Sequence, residues 1–152
     1  MDILSWAGEN WFSLIQTLGI VAGFAIASRS FLLDSRARRV EVYLTLTQAH
    51  RDIWENVVTN PDLASVLDPA RDIDSKPPTD SEERLVLLVL LHTASVHRAS
   101  SLGVYPLWEG LKADIRDFYR LPVPSCVVHK YGPFQEPAFL LFIKQLIAED
   151  GL

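Results

Sequence analysis

The feature that most constrains the fold of this sequence is an uncharged segment of 18 residues, Trp11 to Ser28. Wound as an α-helix, the segment would be about 27 Å long, close to the thickness of the hydrocarbon core of a bilayer. Arg29 follows it, but its long side chain can reach the membrane surface, and three further apolar residues, 31–33, extend the path. The sequence therefore predicts one transmembrane helix over residues 10–33.

Two other interpretations of this segment are open. It could be the buried core helix of a soluble protein, or a secretory signal sequence with the small-x-small cleavage pattern Ala25-Ile26-Ala27. Signal sequences begin with basic residues, whereas the charged residues before this segment are Asp2 and Glu9. We therefore expect a retained membrane helix.

Basic residues follow the predicted span and give its orientation. They are opposed there only by Asp34, while the short N-terminal flank is acidic. The positive-inside rule then places residues 1–9 outside the cytoplasm and residues 34–152 inside it, as a cytoplasmic helical domain. Anionic lipid would be attracted at about 1 kcal/mol per basic residue. The juxtamembrane basic residues are Arg29, Arg36, Arg38 and Arg39.

One side of the predicted membrane helix is small and polar. Helical spacing brings Ser13, Gln16, Gly19, Gly23 and Ala27 to that side, which we call the small-residue stripe. Small residues four apart let two membrane helices approach closely, and the polar side chains can hydrogen-bond across the contact. With one span per chain, the sequence predicts a homo-oligomer in which the stripe packs against copies or lines a pore. The alternative is that glycine is simply common in membrane helices.

The remaining sequence predicts an all-α fold, a small helical bundle after the membrane helix. Neither Gly nor Pro occurs between Phe24 and Asn60, so nothing obliges the membrane helix to stop at the membrane surface, and residues 36–59 have amphipathic helical spacing. Pro61 is expected to begin a short helix after an Asn60 cap, and residues 68–78 form a loop.

Three further helices are predicted after this loop. A capping box at Thr79 and Glu82 begins a helix over residues 80–102, whose run 85–91 is aliphatic on all sides and suggests a central position. A second helix is expected from Pro106 to the Pro-rich run 121–124, and a third from Pro137. A short helical turn is expected over residues 125–131.

No enzyme signature, cofactor-binding motif or metal site is evident. His92 and His97 are five residues apart, which places them on different helix faces rather than on the shared face that a zinc site needs. Cys126-x-x-His129 is half of a metal site without a second half. The pair Glu82-Glu83 is interpreted as solvent-exposed. We expect a protein that is not an enzyme and has no cofactor.

Ligand binding is harder to infer. The net charge of -5 argues against a nucleic-acid binder, and an anionic ligand would need a local basic pocket, for example from Arg84 and Arg98 or from Lys112, Arg116 and Arg120. We interpret these residues as ordinary surface charges, and Trp54 and Trp108 as core residues. The ligand contacts stay unknown at this stage.

The layout resembles a known family. The segments that carry the likeness are Trp54-Glu55-Asn56, Asn60-Pro61-Asp62-Leu63 and Phe139-Leu140-Leu141-Phe142, together with the single N-terminal span and its basic exit. They resemble small bacterial one-span membrane proteins with a cytoplasmic helical domain, which include the Hailong-type transmembrane effectors of anti-phage defence. The resemblance implies an oligomeric inner-membrane channel, held closed by an oligodeoxyadenylate-like signal from a partner nucleotidyltransferase and opening on infection.

Two classes of function follow. The first is a homo-oligomeric membrane effector, an ion channel or pore gated by its cytoplasmic domain, which depolarises the membrane in anti-phage defence. The second is a membrane-anchored adaptor or sensor that binds a protein partner without forming a pore. A membrane-anchored hydrolase is a third, weaker alternative.

Overall fold

The computed structural model describes residues 10–148, and in this range the chain forms helices and no strand. The all-α prediction is therefore confirmed. Over residues 10–148, five α-helices are separated by loops and two short 3-10 helices. The α-helices are α1 (Trp11–Thr59), α2 (Asp80–Ser101), α3 (Glu109–Arg120), α4 (Pro122–Tyr131) and α5 (Pro137–Ala148), and the 3-10 helices are Pro61–Leu67 and Gly132–Phe134.

Helix α1 contains the predicted membrane segment and continues beyond it. Its 49 residues form one helix, which confirms that the helix does not stop at residue 33. The chain divides into two compact units on either side of the Glu41–Val42 bond. Residues 11–33, in the first unit, are exposed throughout. The predicted extracytoplasmic segment, residues 1–9, lies outside the described residues.

The start of α2 follows the predicted capping box. The Thr79 hydroxyl accepts a hydrogen bond from the Glu82 backbone N–H (3.3 Å), and the Glu82 carboxylate accepts one from the Thr79 N–H (2.7 Å). Asn60 occupies the predicted N-cap position and Pro61 begins the 3-10 helix, but the Asn60 amide donates back to the Asn56 carbonyl instead of forming a capping hydrogen bond.

The Pro-rich run after α3 begins a helix as well as ending one. Pro122 is the first residue of α4, so this helix is longer than the turn predicted over residues 125–131. The first N–H groups of a helix have no intrahelical acceptor, so Pro122 and Pro124 can both lie in its first turn without losing a hydrogen bond. Helix α3 begins at Glu109 rather than at the predicted Pro106.

The core lies between α2, α3, α4 and α5. One cluster joins Leu90 of α2 with Tyr119 of α3 and Phe139 of α5, and a second joins Val86 with Val127 of α4. Helix α2 is not wrapped on all sides, since Leu88 and Leu91 are 47% and 58% exposed. The predicted central position is therefore correct for one face of α2 only.

Candidate functional site

The small-residue stripe is exposed on α1. Ser13, Gln16, Gly19, Gly23 and Ala27 all lie on the surface of the helix. No atom lies within 4 Å of the position that a Cβ atom would take at either glycine. Within residues 10–148, α1 is the only helix long and apolar enough to cross a membrane. This side of the helix is open to contact by other molecules.

The juxtamembrane arginines are exposed as well. Arg38 donates from Nε to the Asp34 carboxylate at 2.8 Å, one helical turn away. Arg29, Arg36 and Arg39 also lie on the surface of α1. An exposed pair of this kind contributes little to stability. Because all four arginines lie on the surface, they are accessible to anionic groups.

A cavity of about 320 Å³ lies inside the second unit, between residues 43–54 of α1, residues 89–96 of α2 and residues 105–119. Its volume falls within the range of small-molecule sites. Its lining is mostly aliphatic and aromatic. The aliphatic members are Leu46, Ile53, Val89, Val96, Leu111 and Ile115, and the aromatic ones are Tyr43, Trp54, Tyr105, Trp108, Phe118 and Tyr119.

Three aromatic rings form one end of the cavity. The Tyr43 and Tyr105 rings are stacked, with centroids 5.5 Å apart and planes inclined by 22°. The Trp108 indole lies next to Tyr105, at 5.8 Å between centroids. Burial, followed by the neighbouring Tyr43, raises the pKa of Tyr105, so its hydroxyl is uncharged at neutral pH.

Two histidines and a tryptophan form the other end. The Trp54 indole N–H donates to Nε2 of His50 at 2.9 Å, and the His50 ring lies 5.5 Å from the ring of His92. His92 is half-buried. Burial, and secondarily the neighbouring His50, lower the pKa of His92, which favours its neutral form.

A buried hydrogen bond joins α2 and α3 beneath the cavity. The Tyr119 hydroxyl donates to Thr93 Oγ1 at 3.2 Å, and Thr93 donates in turn to the Val89 carbonyl at 2.8 Å. Burial raises the pKa of Tyr119 far above its ordinary value, despite the opposing effect of the bond to Thr93. This pair closes the cavity floor with uncharged, satisfied polar groups.

No lysine or arginine lines the cavity, and its one acidic side chain is Asp114. The basic groups considered as a ligand pocket lie elsewhere: Arg98 is 4.0 Å from Glu136, Lys112 is 2.7 Å from Glu109, and the Arg120 guanidinium donates to the Ile147 carbonyl. These three basic side chains each contact another group of the same chain, as expected of ordinary surface charges.

Sequence reasoning missed this cavity. Trp54 and Trp108 were expected in the core, but they are 37% and 48% exposed and form part of the cavity wall. One signal was available, since Tyr43, His50 and Trp54 are spaced at seven and four residues and therefore share a face of α1. The members from residues 105–114 carried no such signal, because only the tertiary fold brings them next to α1.

The structure corrects the interpretation of Glu82 as solvent-exposed. It was expected to face solvent, yet it is 3% exposed and accepts hydrogen bonds from Ser65 Oγ, from the Thr79 N–H and from the Arg71 guanidinium at 3.4 Å. Burial opposes its ionisation, but the hydrogen bonds from Ser65 and Thr79 and the charge of Arg71 outweigh it and lower the pKa of Glu82. Glu82 therefore fixes the loop before α2 to the bundle.

The described part of the chain contains no cluster of side chains that could hold a metal ion. Within residues 10–148, no three side chains of His, Cys, Asp or Glu converge on one point. Cys126 is a free, half-buried thiol of α4. The absence of enzymatic activity stays a prediction.

Comparisons with protein-family models, curated proteins and solved structures find no match to this chain. The site is therefore interpreted from its own residues.

Proposed function

We propose that this protein is a homo-oligomeric bacterial membrane effector, an ion channel or pore gated by its helical domain. The observation that carries the proposal is the exposed, uncharged start of α1, residues 11–28, with small and polar residues on one side. Apolar side chains on the other side suit contact with lipid. Ser13 and Gln16 are less suited to lipid and more to a neighbouring helix or to water.

Several copies are required for a pore. One helix encloses no path for ions, so the path must lie between the small-residue stripes of adjacent copies. Gly19 and Gly23 allow the backbones to approach, while Ser13 and Gln16 present polar groups to the centre. Rotation or separation of the helices would then open or close the path.

The proposed membrane is the bacterial inner membrane, crossed once with the N-terminus outside. The exposed arginines after the span support this orientation, because basic residues are retained on the cytoplasmic side. The assignment to anti-phage defence rests on the family resemblance, as do the oligodeoxyadenylate-like signal and the partner nucleotidyltransferase. In this account the signal keeps the channel closed.

An anchored adaptor or sensor is the second candidate. It is favoured by apolar side chains that the helical domain leaves exposed, among them Leu88 and Leu91 of α2 and Val58 of α1. Such side chains can mark a surface for a protein partner. In that case the membrane helix would only localise the domain.

Membrane potential in living bacteria tests the proposal. We expect expression without the partner enzyme to depolarise cells, as measured with a potential-sensitive dye. A variant with residues 10–33 replaced by an unrelated single-span anchor should insert equally well and leave the potential intact. Depolarisation by the anchor-swapped variant would overturn the pore assignment, and an unchanged potential with both proteins would favour the adaptor.

A further inference from the structure

The cavity of the second unit has a chemical character that the proposed pore does not explain. It is large enough for a small organic molecule, and three of its aromatic lining residues, Tyr43, Trp54 and Trp108, are partly exposed to solvent. The faces of aromatic rings carry negative electrostatic potential, which attracts cations. A wall with this many aromatic rings therefore prefers a positive ligand group to a negative one.

The charged side chains of the lining also favour a positive ligand group. Asp114 lies at the exposed edge of the cavity, on α3, and no lysine or arginine accompanies it in the lining. The histidines of the lining do not oppose this preference. His50 Nε2 is occupied as the acceptor of the Trp54 N–H, and burial lowers the pKa of His92 and so favours its neutral form. The whole chain is also acidic, with a net charge of -5.

We propose that this cavity binds a small organic cation, an ammonium group carried on an apolar or aromatic body. The ammonium group would lie against the exposed Tyr43 and Trp108 rings, with Asp114 as the anionic side chain of the same lining. The apolar body would occupy the aliphatic part of the cavity between α1 and α2. A quaternary ammonium fits best, because it needs no hydrogen-bond acceptor and the aromatic faces offer none.

The site is independent of the pore. Its residues all belong to the helical domain after Glu41, and binding can be measured without ion flux. A protein that passes no ions could still bind the cation, so failure of one proposal is distinguishable from failure of the other.

Binding of benzyltrimethylammonium to the purified full-length protein tests the proposal. The protein should be kept in a non-ionic maltoside detergent, since phosphocholine detergents carry the same quaternary group. Neopentylbenzene, a neutral molecule of the same shape, is the matched probe. We expect saturable binding of the cation by calorimetry or ligand-observed NMR, at least about tenfold tighter than that of the neutral probe.

Two variants locate the site. Asp114→Asn should weaken cation binding about fivefold, whereas Asp117→Asn, the same charge change outside the cavity on the same helix, should leave it within about twofold. Trp108→Leu keeps an apolar side chain but removes the ring, and it should also weaken binding. Unchanged melting temperatures would show that these variants fold. Equal binding of the two probes, equal effects of the two aspartate variants, or no saturable binding would overturn the proposal.

Discussion

The indole N–H of Trp54 donates to Nε2 of His50 at 2.9 Å, one helical turn away on the same face of α1. The tryptophan N–H can only donate, so Nε2 of His50 must be unprotonated and the neutral ring carries its proton on Nδ1. The bond fixes the orientation of the His50 ring, which lies 5.5 Å from the ring of His92 on α2. The two histidine rings thus bring α1 and α2 together at this point.

Stability should fall in mild acid because of His92. Burial and His50 lower the pKa of His92 in the folded protein. Below the ordinary histidine pKa of about 6.5, the unfolded chain therefore binds more protons than the folded one, and folding loses free energy as the pH decreases. We expect the melting temperature of the wild-type protein in maltoside micelles to drop more between pH 7.5 and 5.5 than that of His92→Gln.

The neighbouring groups do not cancel this effect. Tyr105 and Tyr119 are uncharged throughout this pH range, because burial raises the pKa of both hydroxyls. Parallel pH dependences for the wild type and His92→Gln would contradict the assignment to His92.

Replacing Glu82 should destabilise the domain strongly. Glu82→Gln leaves the nearly buried Arg71 guanidinium without a charged partner, at a cost of about 3 kcal/mol in the free energy of unfolding. Because the pKa of Glu82 is lowered on folding, its contribution is complete above the ordinary carboxyl pKa and is lost as the pH falls through the folded value. Chemical denaturation at pH 7 measures the difference.

Glu83→Gln is the matched control. Glu83 accepts from Lys130 at 2.7 Å and from the Tyr131 hydroxyl at 2.9 Å, but the lysine side chain is 55% exposed, so Glu83→Gln should cost much less than Glu82→Gln. If the two variants lost the same free energy, Glu82 would not hold the loop to the bundle.

Helix α5 contributes Phe139 and Ile143 to the core. Phe139 is 1% exposed and packs with Ile143 against Tyr119, so Phe139→Ala should cost about 4 kcal/mol. Phe134→Ala removes the same ring from a side chain that is 82% exposed, and it should cost less than about 0.5 kcal/mol. A small loss for Phe139→Ala in equilibrium unfolding would contradict the packing of α5.

Sequence reasoning succeeded where one local rule decides the structure. The capping box at Thr79 and Glu82, the helix start at Pro137 and the uninterrupted helix through residue 33 each depend on neighbouring residues, and all three are observed. The role of Pro122 was harder to predict, because proline can follow the end of one helix and can also be the first residue of the next.

The cavity and the burial of Glu82 could not be predicted in this way. Glu82 meets Ser65 and Arg71, which are 17 and 11 residues away, and no periodicity relates the three. Tyr105 stacks on Tyr43 across the fold in the same manner. The function of the small-residue stripe is also beyond local rules, since it depends on contacts with other copies.

The C-terminus should lie in the cytoplasm of intact bacteria. The arginines at the end of the span and just after it, Arg29, Arg36, Arg38 and Arg39, favour this orientation by retention of basic residues on the inner side. A green fluorescent protein fused after residue 152 should fluoresce and sediment with membranes, and alkaline phosphatase at the same place should be inactive. Active phosphatase in the soluble periplasmic fraction would instead identify residues 10–33 as a cleaved signal sequence.

Ion flux through liposomes that contain only the purified protein tests the central claim most directly. Fluxes should be compared per inserted copy for the wild type, for Gly19→Leu with Gly23→Leu, and for Val21→Leu with Ala25→Leu on the opposite side of α1. We expect the ligand-free wild type to pass ions, the glycine variant to lose at least about tenfold, and the control to stay within about twofold. Absence of flux from the wild type, or equal flux from the two variants, would contradict a pore built on the small-residue stripe.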